Sequence, residues 1–358
     1  MRTHTKPIWI SKLPALGLRL ARALGALAVL LWPTLAYAIG CGDTLQPGDS
    51  PGDSEVLDGD LHCGAISPAL TIVGPYTLDL NGFTVFCGDP DGGLTGTGIK
   101  VRGIRAKVHN GTIAYCDEGV VVEEDGRHEL KRLTVTSPKV TDDDQGIAFR
   151  VKSDRNRFIE NTVKDYAGEG FRLDPANRNL LTRNKAIHNA NHGFRVKNGE
   201  RNLLLLNRAK QNAAEGFRSE GNFNRFVTNT ATGNGDEGFR LKGAQDNQII
   251  GNIAKRNGLL PCDLTLEEPD ANPGIAITDN AKNNAIINNI TKRNCIGIAV
   301  QIESLDNEII GNVALHNRLV DLADGNDDCD DNKWFGNRFT TSLAAPDFSV
   351  SPPPECIR

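Results

Sequence analysis

One stretch limits what this chain can fold into more than any other: EGFRLDPANRNLLTRNKAIHNANHGFRVKNGERNLLLLNRAKQNAAEGFR, from Glu169 to Arg218. Gly-Phe-Arg recurs at 170, 193 and 216, and an Asn-x4-Asn pair sits between successive copies. Along the whole chain the glycines fall at 98, 119, 146, 170, 193, 216, 238, 274 and 297. The Asn pairs begin at 156, 179, 202, 224, 247, 284, 307 and 332 and keep step with them. A period of 22 or 23 residues marks an architecture in which each unit buries its apolar side only by stacking on its neighbours.

Each unit holds two or three short runs with the alternation of half-buried strands, such as Gly-Phe-Arg-Leu-Asp and Gly-Ile-Ala-Val-Gln. Pro, Gly and Asn interrupt too often for a sustained helical stripe, which excludes helical repeats. The fixed leucine frame of leucine-rich repeats is missing. A unit of this length with three strands is one turn of a right-handed parallel β-helix. The expectation is therefore all-β: a single-stranded solenoid of roughly ten coils from Gly98 to Asn337, on the order of 50 Å long at about 4.8 Å per coil. Phe171, Phe194, Phe217 and Phe239 should then point inward and stack. The asparagines should sit at left-handed turn positions and form amide ladders.

The first 38 residues read as a signal peptide: five Lys/Arg and no acids precede the apolar run Leu24–Leu31, and Ala36-Tyr37-Ala38 fits a cleavage site. That implies an exported protein, periplasmic or extracellular, with no transmembrane segment in the mature chain. The expected layout is residues 39–97 as N-terminal cap and first coils, 98–341 as the β-helix, and 342–358 as a tail closed by Cys356. Removing the leader leaves 35 Lys+Arg against 45 Asp+Glu, a balance that argues against nucleic acid as partner. The eight cysteines all follow the leader, and an even count in an exported chain reads as four disulfides bracing the caps. The expected pairs are local: Cys41–Cys63, Cys87–Cys116, Cys262–Cys295 and Cys329–Cys356. A rival reading makes Cys41, in Ala38-Ile39-Gly40-Cys41, the lipidated residue of a lipoprotein.

"LTIVGPYTLDLNGFTVFCG" (Leu70–Gly88) resembles the first coil of the right-handed β-helix repeat families, and "DGNDDCDDNKWFGNRFTT" (Asp324–Thr341), with Cys356, resembles their closing coil. These families include the periplasmic NosD-type proteins and the uronate-polymer lyases and epimerases. The resemblance spans about Leu70 to Phe339 and implies the fold; the same rod carries many functions.

Stacking the repeats lines up outward columns. Arg172, Arg195, Arg218 and Arg240 form one, which continues as Ala276 and Ala299. Asp174, Lys197, Glu220 and Lys242 alternate beside it, and Glu118, Gln145, Glu169, His192, Glu215 and Glu237 precede the glycines. A row of planar guanidinium groups suits carboxylates or sulfates along an anionic polymer. The reading taken forward is thus a surface for an anionic polysaccharide, with Arg172, Arg195, Arg218, Arg240, Glu169, Glu215 and Glu237 as contact residues. Two other readings stand beside it: a lyase or C5-epimerase acting on a uronate polymer, and a purely structural scaffold whose flanking acids only neutralise the arginines.

Catalytic signatures are sparse. "TDDDQGIAF" is similar to the paired-aspartate strand of polygalacturonases, but the Gly-His-Gly and Arg-Ile-Lys motifs that should follow are absent, as is the Asp-Pro-His-Asp motif of alginate epimerases. A lyase or epimerase needs a base near pKa 7 and a cation for the enolate, and His192, between Glu169 and Glu215 in the stack, is the candidate. No histidine pair has metal-ligand spacing, so no metal site is expected. Ca²⁺ on Asp321, Asp324, Asp327, Asp328, Asp330 and Asp331 is the one cofactor alternative.

Overall fold

The computed structural model describes residues 38–50, 52–88, 95–137, 146–258, 262, 272–326, 329, 331–344 and 356–357. Residues 1–37, Asp142–Asp144, most of the Gly258–Pro273 insert and most of the tail lie outside the described residues. The body Ile39–Arg358 is one compact unit. Its strands wind as a right-handed parallel β-helix with three faces.

Face one is a thirteen-stranded parallel sheet that starts at Thr44–Leu45 and ends at Ser342–Ala344. Each coil from Thr97 to Asp324 supplies one strand, for example Gly168–Leu173, Phe194–Val196 and Phe217–Ser219. Faces two and three are built from three-residue strands such as Leu203–Leu205 and Arg208–Lys210, again paired in parallel with the next coil. Disulfides join Cys41 to Cys63, Cys87 to Cys116, Cys262 to Cys295 and Cys329 to Cys356. Bonded to Cys63, the Cys41 sulfur has no valence left for a lipid thioether.

The repeat explains the packing. In Phe194–Val196 the outer two residues are buried and Arg195 between them faces out, the alternation of a strand with one wet side. Phe171, Phe194, Phe217 and Phe239 are in register, and their rings stack 4.7–4.8 Å apart and nearly parallel. Glycine precedes each because the neighbouring coil leaves no room: a Cβ on Gly193 would meet the Gly216 carbonyl oxygen at 2.7 Å.

Two expectations about register change. Gly146 is not in this glycine column. It pairs with Gly168, and Ile147 pairs with Glu169, which sets Ala148 beside Gly170. The two-residue offset brings Phe149 into the ring stack, 4.7 Å from Phe171, and Arg150 into register with Arg172. It also replaces Gln145 by Ile147 in the acidic column. The asparagines, in turn, do not take the left-handed positions. Positive φ belongs to the residue before each one, such as Arg178, Arg183 and His188 before Asn179, Asn184 and Asn189.

The asparagines are buried instead, and they form three ladders rather than two, because the spacing is Asn-x4-Asn-x4-Asn. Asn207 shows the unit. Its Oδ1 accepts from the backbone N–H of Asn184 at 2.9 Å and from Asn184 Nδ2 at 3.0 Å, while its own Nδ2 donates to Leu181 O and to Asn229 Oδ1. Each side-chain amide thus satisfies a turn N–H that three tight corners per coil would otherwise leave buried and unpaired. Asp321 ends the third ladder by accepting from Asn317, and its other oxygen accepts from Thr340. Asp324 accepts from Asn326, Asn332 and Trp334. Those donors use the oxygens that Ca²⁺ would need; Asp327, Asp328 and Asp330 lie outside the described residues.

Candidate functional site: a charge-balanced arginine ladder

On face one, Arg150, Arg172, Arg195, Arg218 and Arg240 stand in consecutive coils in register, and the column continues as Ala276, Ala299 and Ala323. Arg150 escaped the repeat because the insertion before it moves the frame by two residues; "AFR" in place of Gly-Phe-Arg was its signal. The side chains from Arg172 to Arg240 are only 16–21% exposed. Resident carboxylates hold them. Arg195 bridges Glu169 and Glu220, each at 2.9 Å. Arg218 bridges Glu215 at 3.2 Å and the same Glu220 at 2.6 Å. Arg172 pairs with Asp174 at 2.9 Å, Arg240 with Glu237 and Asp279 at 3.5 and 3.4 Å, and Arg150 with Glu118.

The acidic column does not face outward as its place in the strand pattern implied. Glu169, His192, Glu215 and Glu237 are buried, because they occupy the corner where face three turns into face one and tuck beneath the arginines. His192 Nδ1 lies 2.6 Å from Glu215 Oε2. Burial drives the Glu215 carboxyl upward, yet the His192 contact and the Arg218 charge outweigh it and hold the group at about 2. Glu237, one coil on, is raised to about 7 by burial and by the Glu215 charge, with Arg240 opposing. Two neighbouring carboxyls pushed apart in this way are able to divide acid and base roles. The sequence singled out His192 for that chemistry and missed Glu237, whose raised carboxyl follows from its burial and from the Glu215 charge. Glu169 Oε2 and Glu237 Oε2 are buried without a hydrogen-bond partner.

Residues 97–253 match the family described as "Right handed beta helix region", and residues 219–344 match "Periplasmic copper-binding protein (NosD)". The chain is a right-handed parallel β-helix repeat protein. No curated protein sequence matches it. Among solved structures, this β-helix is similar to the A-module of the mannuronan C-5 epimerase AlgE6 from Azotobacter vinelandii, with TM-score 0.56 and 15% identity over 87% of this chain and 91% of that one. The periplasmic alginate epimerase AlgG aligns with TM-score 0.51 and 12% identity over 77% of both chains. The Dettilon tailspike protein aligns with TM-score 0.52 and 13% identity over 77% of this chain and 62% of that one. At such identities the likeness is one of fold.

The copper in the second family's description does not fit the donors of this β-helix. Copper favours imidazole and sulfur ligands, but every cysteine is in a disulfide, the sole methionine is Met1, and among the described residues no histidine joins a group of three ligand side chains. The one group of three ligand side chains among the described residues is Glu215, Asp236 and Glu237, with oxygens within 4.8 Å of one another. That is a hard, all-carboxylate set lying against Arg218 and Arg240. Among the described residues no helix is long and apolar enough to cross a membrane.

Proposed function

We propose that this exported β-helix binds a polysaccharide lengthwise along face one, with an acidic uronate chain as the class the face suits. The observation that carries the reading is the five-coil arginine row, locked by ion pairs yet with every side chain still partly exposed. A guanidinium has five N–H donors, and the resident carboxylates engage only some of them. The Nε–H groups of Arg172, Arg195 and Arg218 are buried, so the donors left to a ligand are terminal N–H groups, which recur at about 4.8 Å along the rod as a regular array for sugar hydroxyls and uronate carboxylates. Because the arginines are already held in place, a ligand meets them with little side-chain entropy left to lose. Charge balance has a consequence as well: recognition rests on directed hydrogen bonds more than on net positive charge, so its salt dependence is shallow. The epimerases, which act on mannuronan or alginate, share the fold and support a glycan as the partner class.

The test uses Arg195→Lys with Arg218→Lys, which keeps the charge beneath which Glu169 and Glu215 are buried but removes the planar forks. Binding to polymannuronate and polygalacturonate should fall roughly a hundredfold, from about 1.5–3 kcal/mol per charged hydrogen bond, while a neutral glucan binds neither protein. Equal binding by wild type and variant, or none by either, removes the ladder from the account and leaves a scaffold.

A second reading rests on the split between Glu215 and Glu237. A carboxyl near 7 beside Arg240 is suited to proton transfer at the carbon next to a uronate carboxylate, with His192 positioning Glu215. Formation of unsaturated uronate, or a changed uronate composition by proton NMR, would establish turnover; an unaltered polymer leaves binding alone.

A further inference from the structure

Where face two turns into face three, a second pattern repeats one coil at a time: IIGNIAKRN at 249–257, IINNITKRN at 286–294 and IIGNVALHN at 309–317. The inward residues of these runs belong to the core and the Asn ladders. What remains outside is an aliphatic corner followed by a basic corner. Ile250, Ile287 and Ile310 are in register, continuing to Phe335. Around the turn, Ile253, Ile290 and Val313 are in register too. Ile253 and Ile290 are exposed, and Phe335 is 71% exposed.

Two residues past each isoleucine come Lys255 and Arg256, then Lys292 and Arg293. With Arg208 and Lys210, this face and its following corner hold six Lys or Arg and no Asp or Glu over the five coils from Arg208 to His316. No ion pair to a described carboxylate neutralises these six, in contrast to the balanced ladder on face one. Their mutual repulsion is visible at Lys255, whose ammonium is pushed down chiefly by Arg256, then by burial, Lys292 and Arg293. In a chain with a formal net charge of −5, this is a local reversal of sign.

We propose that face three lies on the surface of an anionic lipid bilayer, the Ile250–Val313 corner entering the acyl boundary and the lysines and arginines meeting phosphate headgroups. An acidic polysaccharide would answer the cations but offers nothing to a row of exposed isoleucines. A second copy of the rod would cover the isoleucines but bring like charges together. A protein partner is disfavoured by composition, since protein interfaces deplete lysine and favour aromatic anchors. Apolar side chains entering the acyl boundary beside cations on anionic headgroups are what hold amphipathic surfaces to a lipid interface. The proposal is independent of glycan binding on face one.

Flotation with phosphatidylcholine vesicles, with and without phosphatidylglycerol, tests it. Wild type should float only with the anionic vesicles and release as salt rises. Lys255→Ala with Lys292→Ala should weaken binding on the order of 25-fold, at about 1 kcal/mol per cation near the surface. Ile253→Ser with Ile290→Ser, which leaves every charge in place, should also weaken it. All four positions point outward, so circular dichroism should be unchanged, and uronate binding should be unchanged too. Absence of flotation overturns the proposal. So does undiminished binding by the isoleucine variant together with displacement by soluble polygalacturonate, which would make face three a polymer site.

Discussion

Glu237→Gln isolates the carboxyl beneath the ladder that is pushed upward. Its carboxyl is held at about 7 against an ordinary 4.5, because it is buried beside the Glu215 carboxylate. Below pH 4.5 the group is protonated in both folded and unfolded chains, and its contribution to stability is fully present. As pH rises from 4.5 towards 7 the unfolded chain gives up the proton first, so the fold loses stability, and the loss is complete above about 7. At about 1.4 kcal/mol per pH unit, this gap amounts to roughly 3 kcal/mol. Glutamine has no proton to lose, so the variant should exceed wild type by no more than about 1 kcal/mol near pH 5 and by about 3 kcal/mol at pH 8. Glu215 does not enter the comparison. Its depressed value of about 2 gives stability that is present above 4.5 and lost only as pH falls towards 2. Denaturant unfolding of both proteins at the two pH values is the assay. An offset equal at pH 5 and pH 8, or a variant less stable at pH 8, would refute the placement of Glu237 in a carboxyl pair.

Removing Arg195 entirely should behave differently from changing it to lysine: Arg195→Ala leaves the buried Glu169 and the Glu220 carboxylate short of a partner and should lower unfolding free energy by about 3 kcal/mol, a loss that Arg195→Lys largely avoids. Phe194→Ala should remove about 3–5 kcal/mol, since the ring is buried between Phe171 and Phe217; a loss below 1 kcal/mol, roughly the effect of an exposed site, would deny the stack its role. Asn207→Leu keeps the branched shape but strands the Asn184 N–H and the Leu181 carbonyl, and should lower stability by about 3 kcal/mol or more; hydrogen exchange should then quicken at Asn184.

The repeat made the architecture legible, since equal spacing places Phe194 over Phe171 whatever the remaining residues do. The same reasoning lost the frame at Gly146, where an insertion shifts the coil by two residues, and with it Phe149 and Arg150. Strand alternation also misread the glutamates. Period two puts Glu215 outside, but Glu215 precedes the strand, in a corner that folds beneath Arg218. The left-handed residue at each turn was sought in the asparagine itself, whereas the ladder needs the amide inside and hands the strained backbone to its neighbour, Arg178 or Leu206. Face three went unseen because Lys255 and Lys292 are 37 residues apart in sequence and become adjacent only when coils stack.

The claim that a glycan lies along the arginine row is tested most directly by arginine-selective chemical modification, read residue by residue in a mass spectrometer with and without saturating polymannuronate. Each ladder arginine stays partly exposed, and each would be covered by a chain running along face one. The account predicts that Arg172, Arg195, Arg218 and Arg240 lose reactivity together on adding polymer, while Arg256 and Arg293 on face three react as before. Protection of Arg256 and Arg293 with the ladder still reactive, or no protection anywhere, would contradict it.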